Sequence, residues 1–178
     1  MNYLKDYVRF VVGKKVFYLP SGGFDMYERE FGYTFDVPMG QCVIVDGKKY
    51  CNNVIEYNKL TGELIGPSPQ SCEMELVEAF IKQNITLHRT IIHFLRANPS
   101  CFDNTTSLSM VSANPNSWIY LSNALYEFED PDPEAKEFRI KMVGEEPTID
   151  DLFYIINGNI GANEVSELFF EFYKQEKK

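Results

Sequence analysis

The sequence predicts an α+β chain: a small N-terminal antiparallel β module, residues 1–69, followed by a C-terminal helical bundle, residues 70–178. Three observations carry this expectation. Short runs rich in β-branched and aromatic residues, broken by glycine, proline and an Asp-Gly pair, fill the N-terminal part. After Gly66-Pro67-Ser68-Pro69 the apolar spacing changes from alternation to steps of three and four. The later segments then carry helix starts, of which Asn114-Pro115 is the clearest.

In order along the chain, Tyr7 to Val12 and Val16 to Leu19 read as strands separated by Gly13-Lys14-Lys15, and Pro20-Ser21-Gly22-Gly23 makes the next turn into a meander. Tyr33 to Val37 is a further strand, Gln41 to Val45 pairs with Lys48 to Tyr57 across Asp46-Gly47, and Asn58 to Gly62 turns into Glu63 to Ile65. Ser71 is the expected N-cap of a helix from Cys72 to Gln83, with Met74, Val77, Phe80 and Ile81 on one face. The next helix, Leu87 to Ala97, turns Leu87, Ile91, Phe94 and Leu95 inward and stops before Pro99, because a residue preceding proline avoids the helical region.

Ser100 to Ala113 lacks periodicity and reads as a loop. Asn114 and Pro115 then open a helix whose Trp118, Leu121, Leu125 and Phe128 recur at three, four and three residues. Glu134 to Met142 fits a short helix or an extended arm equally. Thr148 with Asp151 has the form of a capping box, Gly158 is the expected stop, and a last helix from Asn159 to Gln175 sets Ile160, Val165, Leu168, Phe169 and Phe172 on one side. The structural core expected of the bundle is thus Ile91, Phe94, Leu95, Trp118, Leu121, Leu125, Phe128, Leu168 and Phe169.

Composition narrows the partners. A chain of 178 residues with 44% apolar content can bury a core unaided, and a formal charge of −9 with pI near 4.8 argues against nucleic acid or an anionic membrane as partner. The longest apolar run, Leu152 to Ile156, is far shorter than the roughly 20 residues of a membrane-spanning helix, and no secretory leader is evident. A soluble, cytoplasmic protein is expected. Cys42, Cys51, Cys72 and Cys101 lack the paired spacing of a zinc site, so free thiols are the default. An Asp46-Gly47 hairpin would nevertheless set Cys42 opposite Cys51 with Cα atoms about 4.5 Å apart, within bridging distance. In a reducing compartment thiols remain the expectation.

No catalytic constellation is complete. A phosphate loop ending at Gly47-Lys48 would need glycine at 42 and Ser or Thr at 49, where the chain has Cys42 and Lys49. Val43-Ile44-Val45-Asp46 has the look of a magnesium-holding strand, but Gly47 follows where an acidic base is usual, so a hairpin is the better reading. His88 and His93, five apart, diverge by about 140° around a helix and do not converge on a metal; solvated or supporting roles are expected of them. Cys72 or Cys101 with a histidine lacks an orienting third group. The acidic pairs Glu28/Glu30, Asp130/Asp132, Glu145/Glu146 and Asp150/Asp151 border turns or helix starts, where solvated charge is the simpler reading. Ser21-Gly22-Gly23 reads as a turn, and Tyr3, Tyr7, Tyr18, Tyr27, Tyr33 and Tyr50 as core edge in preference to binding surface. No catalytic residue, cofactor or metal is expected.

One resemblance emerges. Ile91-Ile92-His93-Phe94-Leu95-Arg96-Ala97-Asn98-Pro99, then Pro115-Asn116-Ser117-Trp118 with Leu121-Ser122 and Leu125, resembles in order and spacing the C-terminal lid of MoxR-like AAA+ ATPases. Ile156-Asn157-Gly158-Asn159-Ile160-Gly161 with Val165, Leu168 and Phe169 is similar to that family's closing helix, so the resemblance covers about residues 71–174. It implies a lid-like bundle. Asn116 stands where the family places a phosphate-sensing arginine, and the nucleotide-binding core is missing, so the resemblance implies a lid without its ATPase engine.

The function expected is therefore a non-catalytic interaction or assembly protein that docks to another protein or to identical subunits. The small size and Tyr- and Asn-rich composition suggest a phage or viral structural or assembly component, with incorporation in a virion. Two alternatives come from other classes. One is an accessory subunit contributing Asn116, or Arg89 and Arg96, to a nucleotide site completed by a separate AAA+ chain. The other is an acidic inhibitor mimicking nucleic acid, for which the acids are dispersed among lysines instead of arrayed.

Overall fold

The computed structural model describes residues 4–13, 15–38, 40–51, 54–66, 70–71, 73–104, 111–130, 132–134 and 148–178. The fold is α+β, with two small antiparallel sheets followed by helices. It divides into two compact units, Met1–Gln83 and Asn84–Lys178.

The strands of the first unit are β1 Tyr7–Val12, β2 Lys15–Pro20, β3 Asp25–Arg29, β4 Gly32–Asp36, β5 Cys42–Val45, β6 Lys48–Cys51, β7 Val54–Asn58, β8 Leu64–Ile65 and β9 Gln70–Ser71. They form two sheets instead of one meander, in the orders β1-β2-β5-β6-β9 and β3-β4-β7-β8. The expected strand from Lys48 to Tyr57 is split accordingly: β6 stays with β5, while β7 pairs with β4 in the other sheet. Alternation explains the packing. Phe17, Leu19, Val43 and Val45 from one sheet meet Phe35, Ile55 and Tyr57 from the other in a single buried cluster, which Phe10 and Tyr33 flank. Phe17 and Phe35 rings lie 4.9 Å apart at its centre.

The Asp46-Gly47 turn forms as its sequence predicts, with positive φ at both residues (52° and 74°), the geometry of a two-residue hairpin. It registers Cys42 against Cys51. The two are joined as a disulfide with Cα atoms 4.1 Å apart, which corrects the expectation of free thiols at this pair; Cys101 is free and buried. Cys72 lies outside the described residues. Gly32 is required by proximity, since a Cβ there would come within 1.7 Å of the Tyr57 carbonyl oxygen.

Helix α1, Glu73–Gln83, belongs with the strands, so the units divide later than the Gly66–Pro69 boundary expected from composition. Strand β9 is the reason. It pairs Ser71 with Lys48 and Gln70 with Lys49, so Ser71 is a strand residue. Glu75, just beyond it, accepts from Tyr7 Oη at 3.3 Å and pairs with Lys49 at 3.4 Å.

The second unit contains α2 Arg89–Ala97, a 3₁₀ turn Pro99–Cys101, α3 Pro115–Glu129, α4 Ile149–Ile160 and α5 Glu164–Glu176. Asn114 caps α3 through Ser117 N, with Pro115 at the first position, as the sequence predicts. The Thr148–Asp151 capping box is also formed, with Thr148 N donating to Asp151 Oδ2 at 2.7 Å. Gly158 is not the stop. It lies inside α4, which ends at Gly161 in the left-handed region (φ 86°); α5 then starts afresh at Asn163, whose side chain accepts from Val165 N and Ser166 N. The expected element from Glu134 to Met142 falls outside the described residues beyond Glu134.

Ile91, Phe94, Leu95, Trp118, Leu121, Leu125 and Phe169 are buried. Phe128 is half-buried, and Leu168 is 51% exposed, which corrects its assignment to the core. On α5 the buried stripe runs Val165, Phe169, Tyr173, and Leu168 lies about 100° around the axis from Phe169. Trp118 is 0% exposed; its ring centroid is 5.8 Å from both Phe94 and Phe169, and its indole N–H donates to the Phe102 carbonyl at 2.9 Å.

Two predictions follow from the packing. Trp118→Ala should destabilise the chain by about 3–5 kcal/mol in denaturant unfolding, as for other buried aromatics; a loss under about 1 kcal/mol contradicts the packing. Alkylation without reductant, read by peptide mass, should leave Cys42 and Cys51 unmodified, whereas full labelling of both would show thiols.

Candidate functional site

Helices α4 and α5 are joined by the short link Gly161-Ala162-Asn163. Gly161 is held there by proximity as well as by φ, because a Cβ would approach the Val111 carbonyl oxygen to 2.1 Å. The two helices turn Leu152, Ile156, Ile160, Val165 and Phe169 into the bundle. Away from this buried stripe α4 presents Phe153 and Tyr154, and α5 presents Phe170.

Phe153 and Phe170 rings lie 5.1 Å apart, Phe153 and Tyr154 rings 6.4 Å, and Tyr154 is 74% exposed. Together with Asp150, Glu167 and Glu171 these residues line a groove of about 540 Å³. Helical spacing places the acids. Asp150 is one turn before Phe153 and Tyr154; Glu167 is one turn before Phe170 and Glu171. Lys174 Nζ sits 4.5 Å over the Phe170 ring and 2.6 Å from Glu171 Oε1, so the chain already uses this ring and this acid to hold a cation. An apolar floor with an acidic rim suits a basic side chain, whose stem covers the rings while its charge reaches the carboxylates. No histidine or cysteine lines the groove.

A second polar cluster lies where α2 begins and α3 and α5 end. Of the solvated or supporting roles expected of it, His88 has the supporting one: it is 3% exposed and is the N-cap of α2, its Nδ1 accepting from Thr90 N at 3.1 Å while its backbone N–H donates to Ser122 Oγ at 2.8 Å. With Nδ1 accepting, the ring proton is on Nε2, which donates to Glu129 Oε2 at 2.9 Å. Glu129 Oε1 also accepts from Tyr173 Oη at 2.7 Å and pairs with Lys177 Nζ at 2.8 Å. Burial alone would raise the Glu129 carboxyl, but the hydrogen bonds from Lys177, His88 and Tyr173 outweigh it and hold the group at about 2. Burial and the bond to Glu129 push the Tyr173 hydroxyl up.

Both His88 nitrogens are hydrogen-bonded, and the cluster ties the start of α2 to the ends of α3 and α5. His93 is bound separately, Nδ1 to Glu176 Oε1 at 2.6 Å. Burial would raise Glu176, and the hydrogen bonds from His93 and Thr90 lower it on balance.

Of the residues the sequence singles out, Asn116 is exposed in the first turn of α3, and Arg89 and Arg96 are exposed on α2. No group of three or more His, Cys, Asp or Glu among the described residues is placed to hold a metal, and no helix among them is long and apolar enough to cross a membrane. The groove residues Phe153, Tyr154 and Phe170 escaped the sequence reading. Their signal was present: Leu152, Ile156 and Ile160 already complete one buried stripe, so the adjoining aromatics exceed what the core needs. Comparison with protein-family models, with curated proteins and with solved structures gives no match.

Glu129 makes a pH prediction. Its folded value of about 2 lies below the ordinary 4.5, so its stabilisation is complete above pH 4.5 and is lost as pH falls towards 2. Glu129→Gln should flatten the fall in melting temperature across that window, and an unchanged acid profile would contradict the tie.

Proposed function

We propose that this chain is a non-catalytic docking or assembly protein whose α4–α5 groove receives a basic segment of a partner protein. The observation that supports the reading is the aromatic floor of Phe153, Tyr154 and Phe170 beneath the carboxylates of Asp150, Glu167 and Glu171. Partly exposed aromatics gathered in a groove, here Tyr154 exposed and Phe153 and Phe170 half-buried, are typical of protein contact sites, and the acidic rim selects for positive charge. The net charge of −9 favours the same partner class at long range. A phage or viral assembly component fits this role, as does any other ordered assembly built on a basic partner.

The second reading is a lid-like accessory to a separate AAA+ chain. What favours it is Asn116, exposed at the start of α3 where the resemblance puts the phosphate-sensing position. That reading requires the chain to change nucleotide-analogue binding or turnover by its ATPase partner.

Affinity co-purification from the native source, with parent chain and Glu167→Lys/Glu171→Lys compared side by side, tests the leading reading. A basic protein should be retained by the parent, be released by salt, and be lost with the variant while circular dichroism stays unchanged. Equal retention by both chains would contradict the groove.

A further inference from the structure

Strand β3 is a five-residue strand, Asp25-Met26-Tyr27-Glu28-Arg29, exposed at every position and, among the described residues, an edge paired on one side only, to β4. Open edges of this kind are sites of strand addition, and proteins usually blunt them with charged side chains, proline, bulges or short length; the charges of β3, Asp25, Glu28 and Arg29, are of both signs. β3 carries no proline, and its ladder with β4 is unbroken from Asp25↔Asp36 to Arg29↔Gly32. Its Met26 and Tyr27 are 42% and 47% exposed.

The register fixes which backbone groups are open. The two-residue turn Glu30-Phe31 closes on the pair Arg29↔Gly32, so Arg29, Tyr27 and Asp25 bond to β4 while Met26 and Glu28 direct N–H and C=O outward. We infer that β3 pairs antiparallel with β3 of a second copy of this chain, about a two-fold axis through Tyr27. Met26 then lies opposite the second copy's Glu28 and exchanges backbone hydrogen bonds with it in both directions. Asp25 faces the second copy's Arg29, an opposite-charge pair that the symmetry repeats, and Tyr27 faces its own equivalent.

The side chains are already arranged for this. Arg29 lies with its guanidinium carbon 5.5 Å from the Tyr27 ring centroid and its Nε donating to Thr34 Oγ1 at 3.2 Å, on the face that Asp25 and Tyr27 share. Neighbouring registers are worse. A two-fold through Glu28 opposes two glutamates, and one through Met26 leaves Arg29 opposite Gly23 with no acid to meet. The other long edge among the described strands, β1, reads Tyr-Val-Arg-Phe-Val-Val, so an axis equivalent to that through Tyr27 sets its Arg9 opposite Tyr7 or Val11 with no acid to meet. The remaining edges, β8 and β9, are two residues each.

A strand pair this short covers less than the roughly 1,200 Å² of a stable interface, so the dimer is weak and concentration-dependent. The inference deepens the assembly half of the proposed function, but its evidence lies wholly in the β unit and is independent of the groove. The test uses the full chain. Tyr27→Cys places two cysteines at a non-hydrogen-bonded pair with Cα atoms about 4.5 Å apart, and mild oxidation should give a covalent dimer above the parent background. Met26→Cys, opposite glutamate, should not.

In sedimentation equilibrium, Asp25→Arg and Arg29→Asp should each weaken self-association about tenfold, and the double charge swap should restore it. Cross-linking no better for Tyr27→Cys than for Met26→Cys, or a double variant as weak as the singles, overturns the pairing. Glu167→Lys/Glu171→Lys should leave self-association unchanged. If that variant loses the basic partner while the β3 variants change nothing, the groove stands and the strand pairing falls.

Discussion

The bundle depends on one buried group, the Trp118 indole. Its ring is enclosed by Phe94 from α2 and Phe169 from α5, and its N–H donates to the Phe102 carbonyl. A rotated indole would leave that donor unpaired at a cost of about 1–3 kcal/mol, so the hydrogen bond orients what the hydrophobic contact merely collects. Fixing Phe169 inward also fixes its neighbours. Phe170, about 100° further round α5, must face away from Trp118 and towards Phe153, so the groove is a by-product of the packing beneath it.

At another corner of the same unit, Glu129 gathers His88, Tyr173 and Lys177. This concentrates polarity where three helix termini meet and satisfies groups that burial would otherwise leave costly. Each of these side chains is held by at least one partner from another helix. The acids of the groove are different in kind: they ring an apolar floor, and one of them, Glu171, already holds the ammonium of Lys174.

Legibility in the sequence followed the range of the interaction. Local devices were readable: the Asp46-Gly47 turn, the Asn114-Pro115 start and the Thr148–Asp151 box each depend on residues within four positions. The Cys42↔Cys51 register followed from the turn by counting, although compartment reasoning favoured thiols. What was lost depends on distant partners. Nothing near Lys48 to Tyr57 says that its two halves join different sheets, and β3, with no buried residue, gave no alternating signal. Leu168 was misassigned because a run of Leu-Phe-Phe fits two adjacent helical faces, and only Trp118 decides which is buried. The groove is not legible from the length of the Leu152–Ile156 apolar run, because what makes it is the helical face that Phe153 and Tyr154 occupy.

The most direct measurement on the central claim is a two-dimensional NMR titration of the labelled chain with an amphipathic peptide of alternating lysine and leucine turns. Shifts should be confined to the amides of Asp150, Phe153, Tyr154, Glu167, Phe170 and Glu171, with Trp118 unmoved. Shifts spread over the acidic surface, or none at these six residues, would contradict the claim.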